Sequence, residues 1–321
     1  MRDAEIVAEV QAAEATIRPY VRETPLEHSP FLSELGGADV YLKLENQQLT
    51  GSFKLRGAIN KILSLSSEER ARPVVTASSG NHAAAVAYTL DGFGGEGIIY
   101  LPESVAKAKV DALSPYGVEL RFVGQDCVVG ELEAKKTAAE EGWTYVSPYS
   151  DAKILGGQGT IALEIERQGD PIDTILVPVG GGGLIAGIAG YLKARDASIR
   201  VIGCQPENSR VMAESVKAGK ILELDTEPTL ADGVAGGLDP DAITFPICQR
   251  VVDEFALLGE DAIAEAMRFM IEKHHMLIEG AAALSIAAYL EDPTRHRDQT
   301  VVLVVSGKKV SLETLTKVLS K

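Results

Sequence analysis

Three glycine-bearing stretches of the sequence combine residue types that could carry out chemistry together. Lys54 follows Phe53 in the stretch T-G-S-F-K-L-R-G-A, residues 50–58, where an isolated amine lies inside a glycine-rich turn. Four consecutive glycines occupy positions 180–183, directly after the apolar residues V-P-V. The stretch S-S-G-N-H-A at 78–83 joins a second apolar run to a helical pattern. An amine, a backbone without side chains and a polar turn can together bind a reactive, anionic small molecule.

The glycine run at 180–183 predicts a binding site for a phosphate group. Backbone without side chains lets several N–H groups converge on one anion, and the helix that follows adds about half a positive charge. A strand-to-helix turn that only needs close packing is the alternative, but four glycines in a row exceed what a turn needs. The run matches neither the nucleoside-triphosphate pattern G-x-x-x-x-G-K-[ST] nor a clear dinucleotide pattern G-x-G-x-x-G.

The polar turn of Ser78, Ser79, Gly80 and Asn81 is typical of a site for a carboxylate. Hydroxyl groups and free N–H groups at the start of a helix are suitable donors to such an anion. Simple N-capping is the alternative, but a cap needs only one such residue. The next residue, His82, is by itself a weak indication of catalysis.

Lys54 alone is most simply interpreted as a surface lysine in a turn. Combined with a phosphate cradle, it indicates a phosphorylated aldehyde cofactor. The lysine can form a Schiff base with the aldehyde while the cradle anchors the opposite end. Phe53 could pack on a flat ring.

Apolar runs that alternate with helical patterns must position these residues. Strands are predicted over 73–77, 97–101, 118–123, 174–179, 200–204 and 300–305, and helices over 81–91, 104–115, 126–141, 184–195 and 208–218. The alternation is typical of an α/β fold with mostly parallel sheets, and continuous Val/Ile runs fit strands that are buried on both faces. The order predicts a small domain over 48–148 and a large, cofactor-binding domain from 1–47 plus 149–321.

Composition excludes several classes of partner. The 321 residues include 46 acidic and 31 basic side chains, and a net charge of −15 repels nucleic acid and anionic membranes. The three cysteines lack C-x-x-C spacing, so a disulfide framework or zinc cluster is not expected. No apolar stretch reaches the roughly 18 residues that a membrane span needs, and the N-terminus lacks a signal core. We therefore expect a cytoplasmic protein without nucleic-acid or membrane partners.

The stretches S-F-K-L-R-G-A, S-S-G-N-H-A and G-G-G-G-L, in this order and spacing, resemble the fold-type II pyridoxal-phosphate enzymes. The resemblance extends from T-P-L at 24–26 to S-G at 306–307, and it is strongest to threonine/serine dehydratases, serine racemases and 3-hydroxyaspartate ammonia-lyases. It implies two open, twisted, mostly parallel sheets flanked by helices, as in the tryptophan synthase β-subunit. It also implies pyridoxal 5'-phosphate as cofactor, a small amino acid as substrate, and a homodimer or homotetramer.

The resemblance also assigns roles to individual residues. Lys54 would be the Schiff-base lysine and catalytic base, and Ser79 a second catalytic group on the other face of the ring. The cofactor would be bound by Phe53, Lys54, Asn81 (at its 3-hydroxyl), Gly180, Gly181, Gly182, Gly183, Leu184, Gly233 and Ser306 (at the ring nitrogen). The substrate would be bound by Ser78, Ser79, Gly80, Asn81, His82 and Gln158.

The implied reaction is the dehydration and deamination of serine, threonine or a related β-hydroxy amino acid. A neutral hydroxyl such as Ser306 cannot hold the pyridine nitrogen protonated, so the ring is a weaker electron sink and elimination to a 2-oxo acid and ammonia is favoured. Two alternatives on the same scaffold remain open. One is an amino-acid racemase, because Ser79 matches the racemases; the other is a lyase for 3-hydroxyaspartate or phenylserine. A dinucleotide-binding oxidoreductase is the alternative from another class, since glycine loops on α/β sheets serve both.

Two segments depart from the family pattern. Serine racemases and hydroxyaspartate lyases bind a divalent cation through a glutamate and a downstream aspartate, whereas this chain has Gln205 and Val211 there. A hard cation prefers carboxylates, so we expect no metal at this position. After Ser306, the sequence continues with Lys308 and Lys309, which place two charges close to the predicted ring-nitrogen site.

Overall fold

The computed structural model of the chain describes residues 1–124 and 127–320. Its strands are β1 (Leu26–His28), β2 (Asp39–Lys43), β3 (Val74–Ala77), β4 (Gly97–Leu101), β5 (Glu119–Phe122), β6 (Thr144–Tyr145), β7 (Thr174–Pro178), β8 (Arg200–Pro206), β9 (Glu254–Leu258) and β10 (Thr300–Val304). Its helices are α1 (Asp3–Ile17), α2 (Pro30–Gly36), α3 (Lys54–Leu63), α4 (Ser67–Arg70), α5 (Asn81–Phe93), α6 (Lys107–Asp111), α7 (Cys127–Glu141), α8 (Ala152–Gln168), α9 (Gly183–Arg195), α10 (Val211–Ala218), α11 (Thr244–Val251), α12 (Glu260–His274), α13 (Gly280–Glu291) and α14 (Leu312–Leu319). None of the described helices combines the length and apolar character needed to cross a lipid bilayer.

The strands form two sheets. The larger sheet has the order β1-β2-β10-β7-β8-β9, and its neighbours run parallel except for the antiparallel pair β1 and β2. The smaller sheet has the order β5-β4-β3-β6 and is parallel throughout. The prediction of an α/β fold with mostly parallel sheets is therefore confirmed.

Strand β10 shows why its sequence is a continuous apolar run. Val301 and Leu303 pack in one hydrophobic cluster with buried residues of α12 and α13. Val302 and Val304 point the other way and pack in a second cluster with residues of α8 and α9. Because helices cover both faces of the sheet, alternation of apolar and polar residues is not required along the strand.

Several predicted elements differ from the structure. The helix predicted over 104–115 is confined to α6, because Pro115 lacks a backbone N–H and a 3-10 turn takes its place at Ser114–Tyr116. The strand predicted as buried at 118–123 is the edge strand β5, where Phe122 is half exposed. The helix predicted from 208 begins only at α10, after a 3-10 turn at Glu207–Ser209. The start of the predicted helix 126–141 lies outside the described residues.

Two glycines allow α3, the helix that begins at Lys54, to pack directly on α8. A Cβ atom added to Gly157 of α8 would lie 2.6 Å from the carbonyl oxygen of Arg56, and one added to Gly57 of α3 would lie 2.9 Å from that of Ile154. Neither backbone could accept a side chain at this distance. Helix α8 in turn packs on α1 and α9, so α3 is held against this layer of helices beside the larger sheet.

A buried charge network joins α3, α8 and β2. The guanidinium of Arg56 donates to Glu45 at 2.8 Å and to Glu164 at 2.7 Å, and the ammonium of Lys43 donates to Glu164 at 2.6 Å. All four side chains are fully buried, and the partly exposed Arg18 adds a third cation, 2.6 Å from Glu164. Burial opposes ionisation of Glu164, but Arg56 and Lys43 outweigh it and hold the pKa of this carboxyl at about 2.

We expect Arg56→Met to destabilise the protein strongly. Glu164 keeps Lys43 and Arg18, but among the described residues the buried carboxylate of Glu45 loses its ion-pair partner. Breaking a buried pair in this way costs about 3–5 kcal/mol. Urea unfolding of the cofactor-free protein measures the free energy of unfolding. The matched control is Arg200→Met, which removes a partly exposed pair with Glu254 and should cost less than about 1 kcal/mol. Equal unfolding free energies for the two variants would contradict the role given to the network.

Candidate active site

Lys54 is the first residue of α3 and lies at the junction of several loops. Its Nζ donates a hydrogen bond to the carbonyl oxygen of Pro148 at 2.8 Å and lies 5.2 Å from the ring centroid of Phe53. Burial lowers the pKa of Lys54 to about 8, against the opposing charges of Glu131 and Glu279. The neutral amine, which is the form that acts as nucleophile or base, is therefore far more populated near neutral pH than in an ordinary lysine.

The segment after β10 is hydrogen-bonded to the loop that leads into Lys54. The buried Ser306 accepts, through its carbonyl oxygen, a hydrogen bond from the backbone N–H of Phe53 at 3.1 Å. Ser52 and Gly307 form an isolated antiparallel bridge, and the backbone N–H of Lys308 donates to the carbonyl oxygen of Gly51. The predicted ring-nitrogen residue and the predicted reactive amine are thus held on one framework.

The two lysines that follow Ser306 extend to the surface, although the charge of Lys309 still interacts with the carboxylate of Glu279. Lys308 and Lys309 are both exposed. The aliphatic part of Lys308 covers Gly51, whose φ of +82° suits a residue without a side chain.

The glycine run connects β7 to α9 and is closely surrounded by other residues. A Cβ atom on Gly181 would lie 2.3 Å from the ring of Tyr149, and one on Gly180 would lie 3.0 Å from the backbone of Val234. Gly182 has a φ of +85°, which also favours glycine. Gly181 and Gly182 therefore leave no room for a side chain, and Gly180 and Gly183, each 3.0 Å from neighbouring backbone at an added Cβ, leave very little. The first N–H groups of α9 have no partner within the helix.

Two further residues that were predicted to bind the cofactor lie at the edges of this region. Leu184 is buried in the core beneath α9, so only its backbone is available to a ligand there. Gly233 lies in a 3-10 turn, where an added Cβ atom would be 3.5 Å from the carboxylate of Glu279. Both residues remain predictions, and the carboxylate beside Gly233 was not predicted from the sequence.

The polar turn after β3 is partly exposed. The backbone N–H of Gly80 donates to the hydroxyl of Ser78 at 3.2 Å, and α5 begins at Asn81. Among the described residues, no partner contacts the hydroxyl of Ser79. An anion could therefore be bound by this hydroxyl and by the first N–H groups of α5.

His82 is buried rather than directed into the turn. Its Nε2 lies 3.1 Å from the carbonyl oxygen of Val146, and burial and the charge of Lys54 lower its pKa to about 3. The imidazole is consequently neutral, and it ties α5 to the segment that carries Pro148. Any contribution of His82 to anion binding would come from its backbone.

Gln158 lies beneath α3, on α8. Its side chain is buried, and Nε2 lies 2.5 Å from the position that a Cβ atom on Gly57 would occupy. Its Oε1 is buried without a partner among the described residues. The structure therefore places Gln158 as packing behind the helix that begins at Lys54.

Glu279 is the residue of the site that sequence reasoning missed. It accepts two hydrogen bonds from Nδ2 of Asn81, at 2.9 and 3.0 Å, and one from the backbone N–H of Lys309 at 3.0 Å. Burial raises the pKa of Glu279 to about 7, the contact with Asn81 opposes this, and Asp232 adds to it. The available signal was a glutamate directly before the apolar helix α13, a position at which helices prefer Ser, Thr, Asp or Asn.

The amide of Gln205 is used within its own loop. Its Oε1 accepts from the backbone N–H of Ala213 at 2.8 Å, and its Nε2 donates to the carbonyl oxygen of Ser209 at 3.5 Å. Over residues 1–124 and 127–320, no three His, Cys, Asp or Glu side chains are arranged to hold a metal ion.

The chain matches known proteins over nearly its whole length. The family model for pyridoxal-phosphate dependent enzymes matches residues 17–307. The L-threonine dehydratase catabolic TdcB of Staphylococcus aureus (strain USA300) is 41% identical over 310 residues, which cover 95% of this chain and 89% of that protein.

Solved structures agree with this match. Maize serine racemase superposes with a TM-score of 0.91 at 34% identity, over 98% of this chain and 96% of the other. The processed form of threonine deaminase isoform 2 from Solanum lycopersicum superposes with a TM-score of 0.93 at 32% identity, over 99% and 87%. A family model that covers most of the chain, and a relative of 41% identity, show that the chain belongs to the pyridoxal-phosphate dependent enzymes of fold type II.

Proposed function

We propose that the chain is an ammonia-lyase that removes water from a β-hydroxy amino acid such as serine or threonine and releases a 2-oxo acid and ammonia. The carrying observation is the amine of Lys54, which is held by the Pro148 carbonyl and has its pKa lowered to about 8. The relatives named threonine dehydratase and threonine deaminase support the same reaction class.

The residues of the site fit pyridoxal phosphate in two respects. Oδ1 of Asn81 is buried without a protein partner among the described residues, so a hydrogen-bond donor on a ligand would satisfy it. The run at 180–183 leaves little or no room for side chains and precedes a helix, as a phosphate cradle requires. In the proposal, the cofactor is held by Lys54, Phe53, Asn81, Gly180, Gly181, Gly182, Gly183, Leu184, Gly233 and Ser306. When bound, it supplies an electron sink conjugated to the α-carbon of the amino acid.

Lys54 performs the proton transfer in this proposal. Its neutral Nζ would accept the α-proton of the substrate. The carbonyl of Pro148 fixes the direction of Nζ, and desolvation keeps a neutral fraction of the amine available. The buried Ser306 would face the ring nitrogen without adding a charge there, so the cofactor would supply a weaker electron sink, which suits elimination.

The turn of Ser78, Ser79 and Gly80 binds the substrate carboxylate in this proposal. Its hydroxyls and the N-terminus of α5 provide donors in a partly exposed position. Binding the carboxylate there orients the α-C–H bond toward Lys54, and such orientation accounts for a large part of a rate enhancement.

The domain division and the assembly are part of the same proposal. Residues 48–148 contain the whole smaller sheet, which supports a small domain with these bounds beside a large domain of 1–47 plus 149–321. Ion pairs of Lys109 with Asp232 and of Lys135 with Asp239 connect the two parts. A homodimer or homotetramer is the proposed assembly.

Racemisation of the same substrates is a second candidate activity. The observation that favours it is the hydroxyl of Ser79, which has no partner among the described residues and could exchange a proton with the α-carbon from the face opposite Lys54. Two solved racemases, from maize and for aspartate, also resemble the chain at 34% and 31% identity.

Replacing Lys54 by alanine should abolish covalent attachment of the cofactor. Borohydride reduction followed by peptide mass spectrometry should find a pyridoxyl group on Lys54 in the wild type and on no lysine in Lys54→Ala. Release of 2-oxo acid should fall by at least about a hundredfold, since a general base is lost. The control Lys61→Ala, on the same helix and paired with Asp151, should keep the modification. A pyridoxyl group on another lysine of the wild type would refute the assignment.

Replacing Gly181 by alanine should weaken cofactor binding. The new methyl group would collide with the ring of Tyr149 at 2.3 Å and displace the loop, so the apo-protein should bind pyridoxal phosphate at least about tenfold more weakly. Gly92→Ala, where no atom lies within 4 Å of the added Cβ, is the control and should bind normally. Wild-type affinity in Gly181→Ala, measured by absorbance titration, would remove the argument for this cradle.

Substrate choice and racemisation can be separated with one panel. The L- and D-forms of serine, threonine, 3-hydroxyaspartate and phenylserine are assayed for 2-oxo acid, and L-serine also for D-serine by chiral chromatography. We expect L-serine or L-threonine to give the fastest 2-oxo acid release. If Ser79 exchanges the proton, Ser79→Ala should reduce D-serine formation by at least about tenfold more than 2-oxo acid release. Equal losses of both products would assign Ser79 to carboxylate binding alone.

A further inference from the structure

Glu279 contacts two loops that the proposed function places around one cofactor. Its carboxylate accepts hydrogen bonds from Nδ2 of Asn81 at 2.9 and 3.0 Å and from the backbone N–H of Lys309 at 3.0 Å. Its own N–H donates to the carbonyl oxygen of Gly307 at 3.2 Å, and the side chain is buried. We propose that Glu279 is a positioning residue that decides which atom of the Asn81 amide is offered to pyridoxal phosphate.

The argument begins with the chemistry of the two groups. An ionised carboxylate only accepts hydrogen bonds, whereas an asparagine amide has a donating NH2 end and an accepting oxygen end. Glu279 therefore takes the NH2 end, and Oδ1 of Asn81 is left buried without a protein partner among the described residues. An unpaired buried acceptor is costly, so this oxygen favours a ligand group that donates, such as the phenolic 3-hydroxyl of the cofactor.

A proton on Glu279 would reverse this preference. The neutral carboxyl can donate to Oδ1 of Asn81, which frees the NH2 end for an anionic 3-oxygen on the ring. Burial raises the pKa of Glu279 to about 7, and Asp232 raises it further, while Asn81 and Lys309 lower it. Lys54 also interacts electrostatically with this carboxylate. Above that pKa Asn81 offers an acceptor to the ring, and below it a donor.

The same carboxylate also fixes the loop that carries Ser306. A Cβ atom on Gly307 would lie 2.5 Å from Oε1 of Glu279, so only glycine allows the carboxylate to reach both Asn81 and Lys309. Asn81 follows β3 of the smaller sheet and Gly307 follows β10 of the larger one. Glu279 therefore sets the distance between two cofactor contacts that come from different sheets.

Two variants test the proposal, which rests on the proposed cofactor site. Glu279→Gln keeps the shape of the side chain, replaces one accepting oxygen by a donating NH2 group and does not titrate, and Gly307→Ala displaces the carboxylate while every titratable group remains. Glu291→Gln, an exposed carboxylate at the other end of α13, is the matched control. The measurements are the visible spectrum of the bound cofactor from pH 5.5 to 9 in the absence of amino acid (about 1.5–2 units either side of the pKa), and the affinity of each apo-protein for pyridoxal phosphate.

We expect a spectral transition near pH 7 in the wild type and in Glu291→Gln, and no such transition in Glu279→Gln. Gly307→Ala should shift its midpoint by more than half a unit and bind pyridoxal phosphate at least about tenfold more weakly. An unchanged transition in Glu279→Gln, or wild-type affinity in Gly307→Ala, would overturn the role of Glu279. Borohydride labelling of the same samples distinguishes failure of the proposed function from failure of this inference. Absence of label on Lys54 refutes the proposed function, whereas normal label with an unchanged spectral transition in Glu279→Gln refutes only this inference.

Discussion

The position of Lys54 depends on the buried charges that surround Arg56. Both residues lie in the first turn of α3, and positions two apart on a helix point roughly 200° away from each other. Arg56 points into the network of Glu45 and Glu164, so Lys54 is directed to the opposite side, where the Pro148 carbonyl receives it. A network of this kind is sensitive to the loss of any member, because the remaining charge would stay buried. The network therefore fixes the orientation of α3 as well as contributing to the stability of the fold.

The remainder of the site is held together mainly by backbone atoms of two segments. Residues 146–149 provide the carbonyls that meet His82 and Lys54, and the ring of Tyr149 lies against the glycine run. Residues 306–309 bind the loop before α3 and the carboxylate of Glu279. Contacts through backbone place few demands on side-chain identity, but they require small residues wherever two chains approach closely. This explains why glycine is so frequent in the motifs.

The parts of the fold that could be predicted are those whose residues carry a local pattern. Continuous Val/Ile runs identified the central strands, because burial on both faces leaves no polar position in them. Strand β9 was not anticipated, since its half-buried residues at the sheet edge lack such a run, and β6 has only two residues. Pro115 shortened a helix that apolar spacing alone had extended.

In the proposed site, Lys54, Asn81, Ser306 and the glycines 180–183 could be named from local motifs and a family resemblance, since each motif combines chemistry with a required turn geometry. Only the tertiary structure placed Glu279 against Asn81, nearly 200 residues apart in the chain. Only the structure also showed His82 to be a neutral, buried side chain. The sequence alone determined which chemical groups are present and the turns that carry them. The tertiary structure decided their partners, their burial and thus their protonation, because these properties depend on residues that are distant in sequence.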